Sequence, residues 1–101
     1  MGRLRASASE VEITPPIGTY LTGYGIRIEP AKSVHDPLMA RGILLYDGQT
    51  NLLIISCDLL GFDTALVEEM REDIQRKTSI PATNILIACT HTHSGPATAK
   101  F

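Results

Sequence analysis

Two apolar runs that flank an amphipathic segment constrain the fold of this chain most. The first run covers residues 52–57 and is almost continuously apolar, a pattern typical of a strand covered on both faces. Residues 63–77 then place four apolar side chains within about a 100° arc of a helix, namely Leu66, Val67, Met70 and Ile74. The second run covers residues 85–89. This order predicts a βαβ unit in which segments 51–58 and 84–90 are parallel strands joined by a right-handed crossover.

Upstream of this unit the sequence predicts a β-hairpin and one further strand. Apolar residues from 38 to 46 and from 51 onward flank a four-residue turn that begins Asp47-Gly48, as antiparallel strands do. Residues 7–13 alternate, with Glu10 and Glu12 on one face, which is typical of a half-exposed strand. The predicted fold class is therefore α/β, a mixed sheet with the element order β-β-β-α-β.

Residues 14–37 show no sustained period and are rich in glycine and proline. Loops of this length are usually binding loops or disordered segments. The apolar and aromatic content of residues 20–24 favours an ordered loop over a site. A surface Ω-loop packed on its own side chains is the alternative.

The composition predicts one soluble globular unit that spans residues 1–101. The chain has 44% hydrophobic residues and a formal net charge of -2. Its nine lysines and arginines are scattered, so no nucleic-acid partner is expected. No run approaches transmembrane length, and no apolar segment of a signal peptide follows the basic N-terminus. A cytoplasmic location is favoured, the alternative being a chain that has lost an export signal, and the oligomeric state is left open.

Three polar side chains follow the two predicted parallel strands. Asp58 comes after the first strand, and His91 and His93 come after the second. Because parallel strands end at the same edge of a sheet, where α/β proteins build their sites, we expect these residues to lie close together. If the strand continues through them, both imidazoles leave one face and Thr90 and Thr92 the other. Two converging imidazoles suit Zn²⁺, with Asp58 orienting one of them or binding the metal.

Each of these residues has an ordinary structural alternative. The two histidines could be solvent-facing loop residues, and Asp58 could cap the loop that follows its strand. Cys89 shares the parity of the histidines, but a thiol in an apolar strand is more often inert than a ligand. We expect Cys57 and Cys89 to be free thiols, and we expect His35 to be exposed or locally bonded rather than a third ligand.

Residues 90–96 carry a family resemblance. The run Thr90-His91-Thr92-His93-Ser94-Gly95-Pro96 resembles the metal-site signature of the neutral (alkaline, non-lysosomal) ceramidase family. Three shorter pieces resemble the same family in the same order, namely Gly23-Tyr24, Ala40-Arg41 and Cys57-Asp58-Leu59. The resemblance implies that residues 1–101 are the N-terminal portion of a catalytic domain several times longer.

The resemblance also implies an activity and residue roles. It implies zinc-dependent hydrolysis of an amide bond in an N-acylated, ceramide-like lipid, with His91 as a zinc ligand. His93 would donate to the substrate or to the developing oxyanion, and Gly23 would lie against the substrate. The remaining metal ligands would lie beyond Phe101, so residues 1–101 alone are expected to be inactive.

One departure from the family concerns the residues after the signature. Ceramidases commonly follow Ser-Gly-Pro with two glycines, whereas this chain has Ala97 and Thr98. The loop beside the metal is therefore expected to be stiffer or narrower. Two other functions stay open at this point: a non-catalytic binding or structural module, and a small-molecule binder that uses the same sheet edge without metal.

Overall fold

The computed structural model describes residues 3–19, 21–22, 30–34, 36–96 and 98, with the backbone alone described at 21–22. Six strands and one α-helix lie in these ranges. They are β1 (Arg5–Glu12), β2 (Leu21–Thr22), β3 (Met39–Tyr46), β4 (Asn51–Cys57), α1 (Thr64–Thr78), β5 (Ile85–Cys89) and β6 (Gly95–Pro96), and a short 3-10 turn, Ala82–Asn84, precedes β5.

Four of the strands form a mixed sheet in the spatial order β1-β3-β4-β5. β1 pairs antiparallel with β3, and β3 pairs antiparallel with β4. β4 and β5 are parallel, from the pair Leu53 and Ile85 to the pair Cys57 and Cys89. The predicted α/β fold class is confirmed, including the hairpin and the parallel pair.

The turn of the β3–β4 hairpin is held by the side chain of Asp47. Its Oδ1 accepts hydrogen bonds from the backbone N–H groups of Gln49 (2.9 Å) and Thr50 (2.8 Å). These bonds stabilise the carboxylate, and they lower the pKa of Asp47 below its ordinary value. Gly48 has φ 101°, a conformation that glycine adopts without steric cost. This turn sets the register in which Tyr46 faces Asn51.

Helix α1 follows the predicted pattern and is tied to the start of β5. Its four apolar stripe residues are half-buried, whereas the glutamates between them are exposed. Arg71 Nε donates to the carbonyl oxygens of Ala82 (3.1 Å) and Ile85 (2.9 Å). The helix ends at Ser79, which has the left-handed φ of 64° common at helix C-termini. Within the described residues, no helix is long and apolar enough to cross a membrane.

The two faces of the sheet are covered unequally. Ile85, at 1% exposure, lies in the row that continues through Leu53 of β4. Its neighbour Leu86 lies on the opposite face, in a row with Ile54 and Ile43, and is 55% exposed. The sequence predicted that residues 52–57 are covered on both faces. That expectation is wrong for the described chain, because α1 covers only one face of the sheet and the row that contains Leu86, on the other face, stays exposed.

Candidate metal and catalytic site

The candidate site lies where β4 and β5 end. Cys57 and Cys89, the last residues of these strands, are register partners. Past them the backbone N–H of Thr90 donates to the carbonyl oxygen of Cys57 at 2.9 Å. The segments that carry Asp58 and the two histidines therefore leave the same edge of the sheet, as their position after parallel strands predicted.

The two imidazoles converge, but not through an extended strand. β5 ends at Cys89, and His91 has a left-handed φ of 66°. The rings of His91 and His93 nevertheless lie edge to face, with centroids 5.0 Å apart and an interplanar angle of 83°. A non-glycine residue in this conformation stores of order 1 kcal/mol of backbone strain, and such residues cluster at functional sites.

His91 is held at its backbone and at its ring by one neighbouring segment. Its backbone N–H donates to the carbonyl oxygen of Leu59 at 3.0 Å. Its Nδ1 lies 2.9 Å from the carbonyl oxygen of Leu60. Because a carbonyl oxygen only accepts, Nδ1 carries the proton and the lone pair lies on Nε2. Metal-binding histidines are oriented in this way.

The donor set suits zinc in its chemistry but is incomplete in the described residues. Two imidazoles are ordinary zinc ligands, whereas a catalytic site uses three protein ligands and a water. Within the described ranges, no group of three or more histidine, cysteine, aspartate or glutamate side chains could hold a metal ion. His91 and His93 can therefore supply part of a ligand shell.

Asp58 ties the edge of the site to β3. Its Oδ2 accepts a hydrogen bond from the backbone N–H of Met39 at 2.9 Å and lies 3.4 Å from Arg41 Nη1. The backbone N–H of Asp58 donates in turn to the carbonyl oxygen of Met39 at 2.9 Å. These bonds tie Asp58 to β3 and are not the predicted cap of the loop that follows β4. Its role as an orienting group for a histidine stays a prediction.

Both cysteines are free, as the sequence predicted. Burial, together with the neighbouring Cys89, raises the pKa of the Cys57 thiol. Burial likewise raises the pKa of Cys89. Among the described residues, no three histidine, cysteine, aspartate or glutamate side chains are grouped so as to hold a metal ion, so Cys89 is not brought together with the two histidines as a third ligand.

A cleft of about 550 Å³ adjoins the loop that carries the histidines. Thr90, Thr92 and Ser94 line it, together with Asp58 and residues of the segments 14–17, 31–34 and 36–38. Neither His91 nor His93 is among the described residues that line this cleft. The prediction that histidines and threonines leave opposite faces required the strand to continue through residue 93, and β5 ends at Cys89.

A short sheet joins the long loop to the histidine loop. Leu21–Thr22 pairs antiparallel with Gly95–Pro96, and Thr22 lies opposite Gly95. Sequence reasoning missed this pairing, because two-residue strands show no periodicity. Gly23 and His35, on which earlier predictions rest, lie outside the described residues. Gly23 directly follows Thr22 in sequence, so the paired strand ends next to it.

Comparison with known proteins gives matches among solved structures. The sequence matches no family model and no curated protein. A neutral ceramidase from Pseudomonas aeruginosa matches with a TM-score of 0.75 and 22% identity, over 93% of this chain and 16% of that chain. A ceramidase complexed with C2 matches with a TM-score of 0.72 and 22% identity, over 93% of this chain and 15% of that chain.

The chain thus spans about one sixth of the length of these solved proteins. The resemblance first noted in residues 90–96 extends to the backbone of nearly the whole chain, and at this level of identity it concerns the fold. The structural neighbours of this chain are neutral ceramidases, and the chain has the fold of a part of such an enzyme.

Proposed function

We propose that this chain supplies part of the metal site of a zinc-dependent hydrolase that cleaves the amide bond of an N-acylated, ceramide-like lipid. One observation carries the proposal. The rings of His91 and His93 lie edge to face, and Nδ1 of His91 is held by the carbonyl oxygen of Leu60. The likeness in fold to a part of a neutral ceramidase supports the proposed reaction class.

The described residues have distinct roles in this proposal. His91 holds the metal through Nε2, and the Leu60 carbonyl fixes its tautomer. Zinc, when bound, polarises the amide carbonyl and lowers the pKa of its water to about 7. His93 donates a hydrogen bond to the oxygen on which negative charge develops. Gly23, which lies outside the described residues, would lie against the substrate, and the ligands that complete the metal shell are not among the described residues.

Alanine variants of the two histidines test this division of roles. In the complete protein, we expect His91→Ala to abolish both bound zinc and amidase activity, because a three-ligand site rarely tolerates loss of one ligand. His93→Ala should keep its zinc while turnover falls about 10²- to 10³-fold, the usual cost of one oxyanion donor. Metal analysis of the purified variants and hydrolysis of an N-acyl sphingosine measure the two effects.

The outcomes separate the two residues. If His93→Ala loses zinc as completely as His91→Ala, both imidazoles are ligands and the assignment of His93 is wrong. If neither variant loses zinc, the metal site lies elsewhere and the proposal fails. Thr83→Ala is a control, since the Thr83 hydroxyl contacts the side chain of Asn84, just before β5 and at the opposite end of that strand from the histidines.

A non-catalytic binding module is the second candidate function. The cleft of about 550 Å³ favours it, because this volume suits a small molecule and the histidines do not line it. In such a module, ligand affinity would be insensitive to a zinc chelator and to His91→Ala. Hydrolysis that depends on zinc and on His91 would exclude this candidate as the main function.

A further inference from the structure

Three consecutive carbonyl groups of the segment after β4 hold the histidine loop. Leu59 accepts the backbone N–H of His91, and Leu60 accepts its ring Nδ1–H. Gly61, the next residue, accepts the hydroxyl of Thr98 at 2.7 Å. The loop from 91 to 98 is therefore bonded to residues 59–61 both where it begins and where it ends.

The bond between Thr98 and Gly61 links the segment after β6 to the segment after β4. The bond joins residues far apart in sequence, and the Thr98 side chain is half-buried. A short bond in a partly dry environment restrains both groups more firmly than an exposed one.

The Gly61 carbonyl adjoins the group that orients His91. The Leu60 carbonyl belongs to the peptide unit between residues 60 and 61, and only the two backbone dihedrals of Gly61 separate that unit from the Gly61 carbonyl. Glycine is the least restricted residue at these dihedrals. A hydrogen bond to the Gly61 carbonyl therefore narrows the range of directions that the Leu60 carbonyl can take.

We infer that Thr98 is a positioning residue for His91. Its hydroxyl restrains the Gly61 peptide, the Leu60 carbonyl keeps its direction, and the His91 ring keeps Nε2 aimed at the metal position. The inference deepens the proposed function and rests on it for the metal. The orientation of the His91 ring itself is independent of that function.

Three variants of the complete protein test the inference. Thr98→Val removes the hydroxyl at nearly constant shape, and Thr98→Ser keeps the hydroxyl. Thr83→Val is the matched control, since it removes an exposed threonine hydroxyl that contacts the side chain of Asn84. Each variant is titrated with Zn²⁺ alone. The tautomer of His91 is read without metal from its ¹⁵N shifts at about pH 8, where an ordinary imidazole is neutral.

We expect Thr98→Val to lower zinc affinity about tenfold, as loss of an outer hydrogen bond to a ligand does. In the same variant, the ¹⁵N shifts of His91 should move from those of the Nδ1–H tautomer toward those of a mixture of the two tautomers. Thr98→Ser should restore both readouts, and Thr83→Val should change neither.

Several results would overturn the inference. If Thr98→Val has the same zinc affinity and the same His91 tautomer as the parent, the Thr98 hydroxyl does not position His91. Failure of Thr98→Ser to restore the readouts means that the hydroxyl is not the cause. Global unfolding of Thr98→Val, seen by circular dichroism, means that the role of Thr98 is general stability. If the parent binds no zinc but its His91 tautomer depends on Thr98, the metal function fails while the positioning role stands.

Discussion

The backbone of His91 adopts a conformation that is unfavourable for a residue with a Cβ atom. Its φ of 66° lies in the left-handed region, which costs a residue with a Cβ about 1 kcal/mol or more. The hydrogen bonds to Leu59 and Leu60 keep the residue there. We interpret this arrangement as strain accepted in order to bring one imidazole beside the other.

Glycine at position 91 should expose the size of this strain. Both His91→Ala and His91→Gly remove the imidazole, but only glycine removes the Cβ clash. We expect His91→Gly to unfold with a free energy about 1 kcal/mol higher than that of His91→Ala. Urea unfolding of the two variants measures the difference. Ser79, with φ 64° at the end of α1, is the positive control, where the same pair of substitutions should differ in the same direction. A less stable His91→Gly would show that the strain is absent.

At the scale of elements, the segments with a clear periodicity were predicted well. The helix was expected at 63–77 and lies at Thr64–Thr78. The hairpin and the parallel pair follow from short turns and apolar runs, which are local properties of the sequence. Asp63 occupies the N-cap position as its type favours, although its side chain makes no cap hydrogen bond to the helix.

The parts that sequence reasoning missed depend on distant partners. The left-handed turn at His91 is set by carbonyl groups of residues 59 and 60, and a backbone carbonyl has no sequence signature. The bond from Thr98 to Gly61 joins the segment after β6 to the segment between β4 and α1. The convergence of the histidines could thus be predicted from the sheet edge, whereas the conformation that produces it could not.

The buried stripe of α1 gives a prediction at this scale. Met70 lies between Leu66 and Ile74 on the half-buried face of the helix. We expect Met70→Asp to lower the free energy of unfolding by about 2–3 kcal/mol, because it places a carboxylate against apolar neighbours. Glu69→Asp introduces the same residue on the exposed face and should change stability by less than about 0.5 kcal/mol. Chemical denaturation followed by circular dichroism compares them, and equal effects would mean that Met70 does not contact the core.

At the scale of the whole molecule, the core is small and lies on one side of the sheet. The buried apolar residues among those described are Cys57, Leu59, Leu60, Ile80 and Ile85. The radius of gyration is 15.9 Å, whereas a compact domain of this length has a value of about 13 Å. Cys57, Leu59 and Leu60 lie at or just after the end of β4, whereas Ile80 and Ile85 lie before or at the start of β5.

Burial of the Cys57 thiol makes global stability sensitive to alkaline pH. The pKa of Cys57 is raised in the folded chain, chiefly by burial, so the unfolded thiol loses its proton at lower pH than the folded one. Its contribution to stability is complete below the ordinary pKa of 9.0 and is lost as pH rises through the higher folded value. We expect the free energy of unfolding to fall over this range, and to fall less steeply in Cys57→Ala. Urea titrations at several pH values measure the slopes, and parallel slopes would contradict the expectation.

The pairing of β2 with β6 sets the order in which the molecule can assemble. The β3–β4 hairpin closes across a four-residue turn, whereas Leu21 and Pro96 meet only after more than seventy intervening residues have been arranged. Contacts so distant in sequence carry the largest loop-closure entropy and are supported by few hydrogen bonds of their own. We therefore expect the β2–β6 pair to be among the last contacts to form during folding and among the first to open when the native state fluctuates, whereas His91 is bonded to residues 59 and 60 within the βαβ unit.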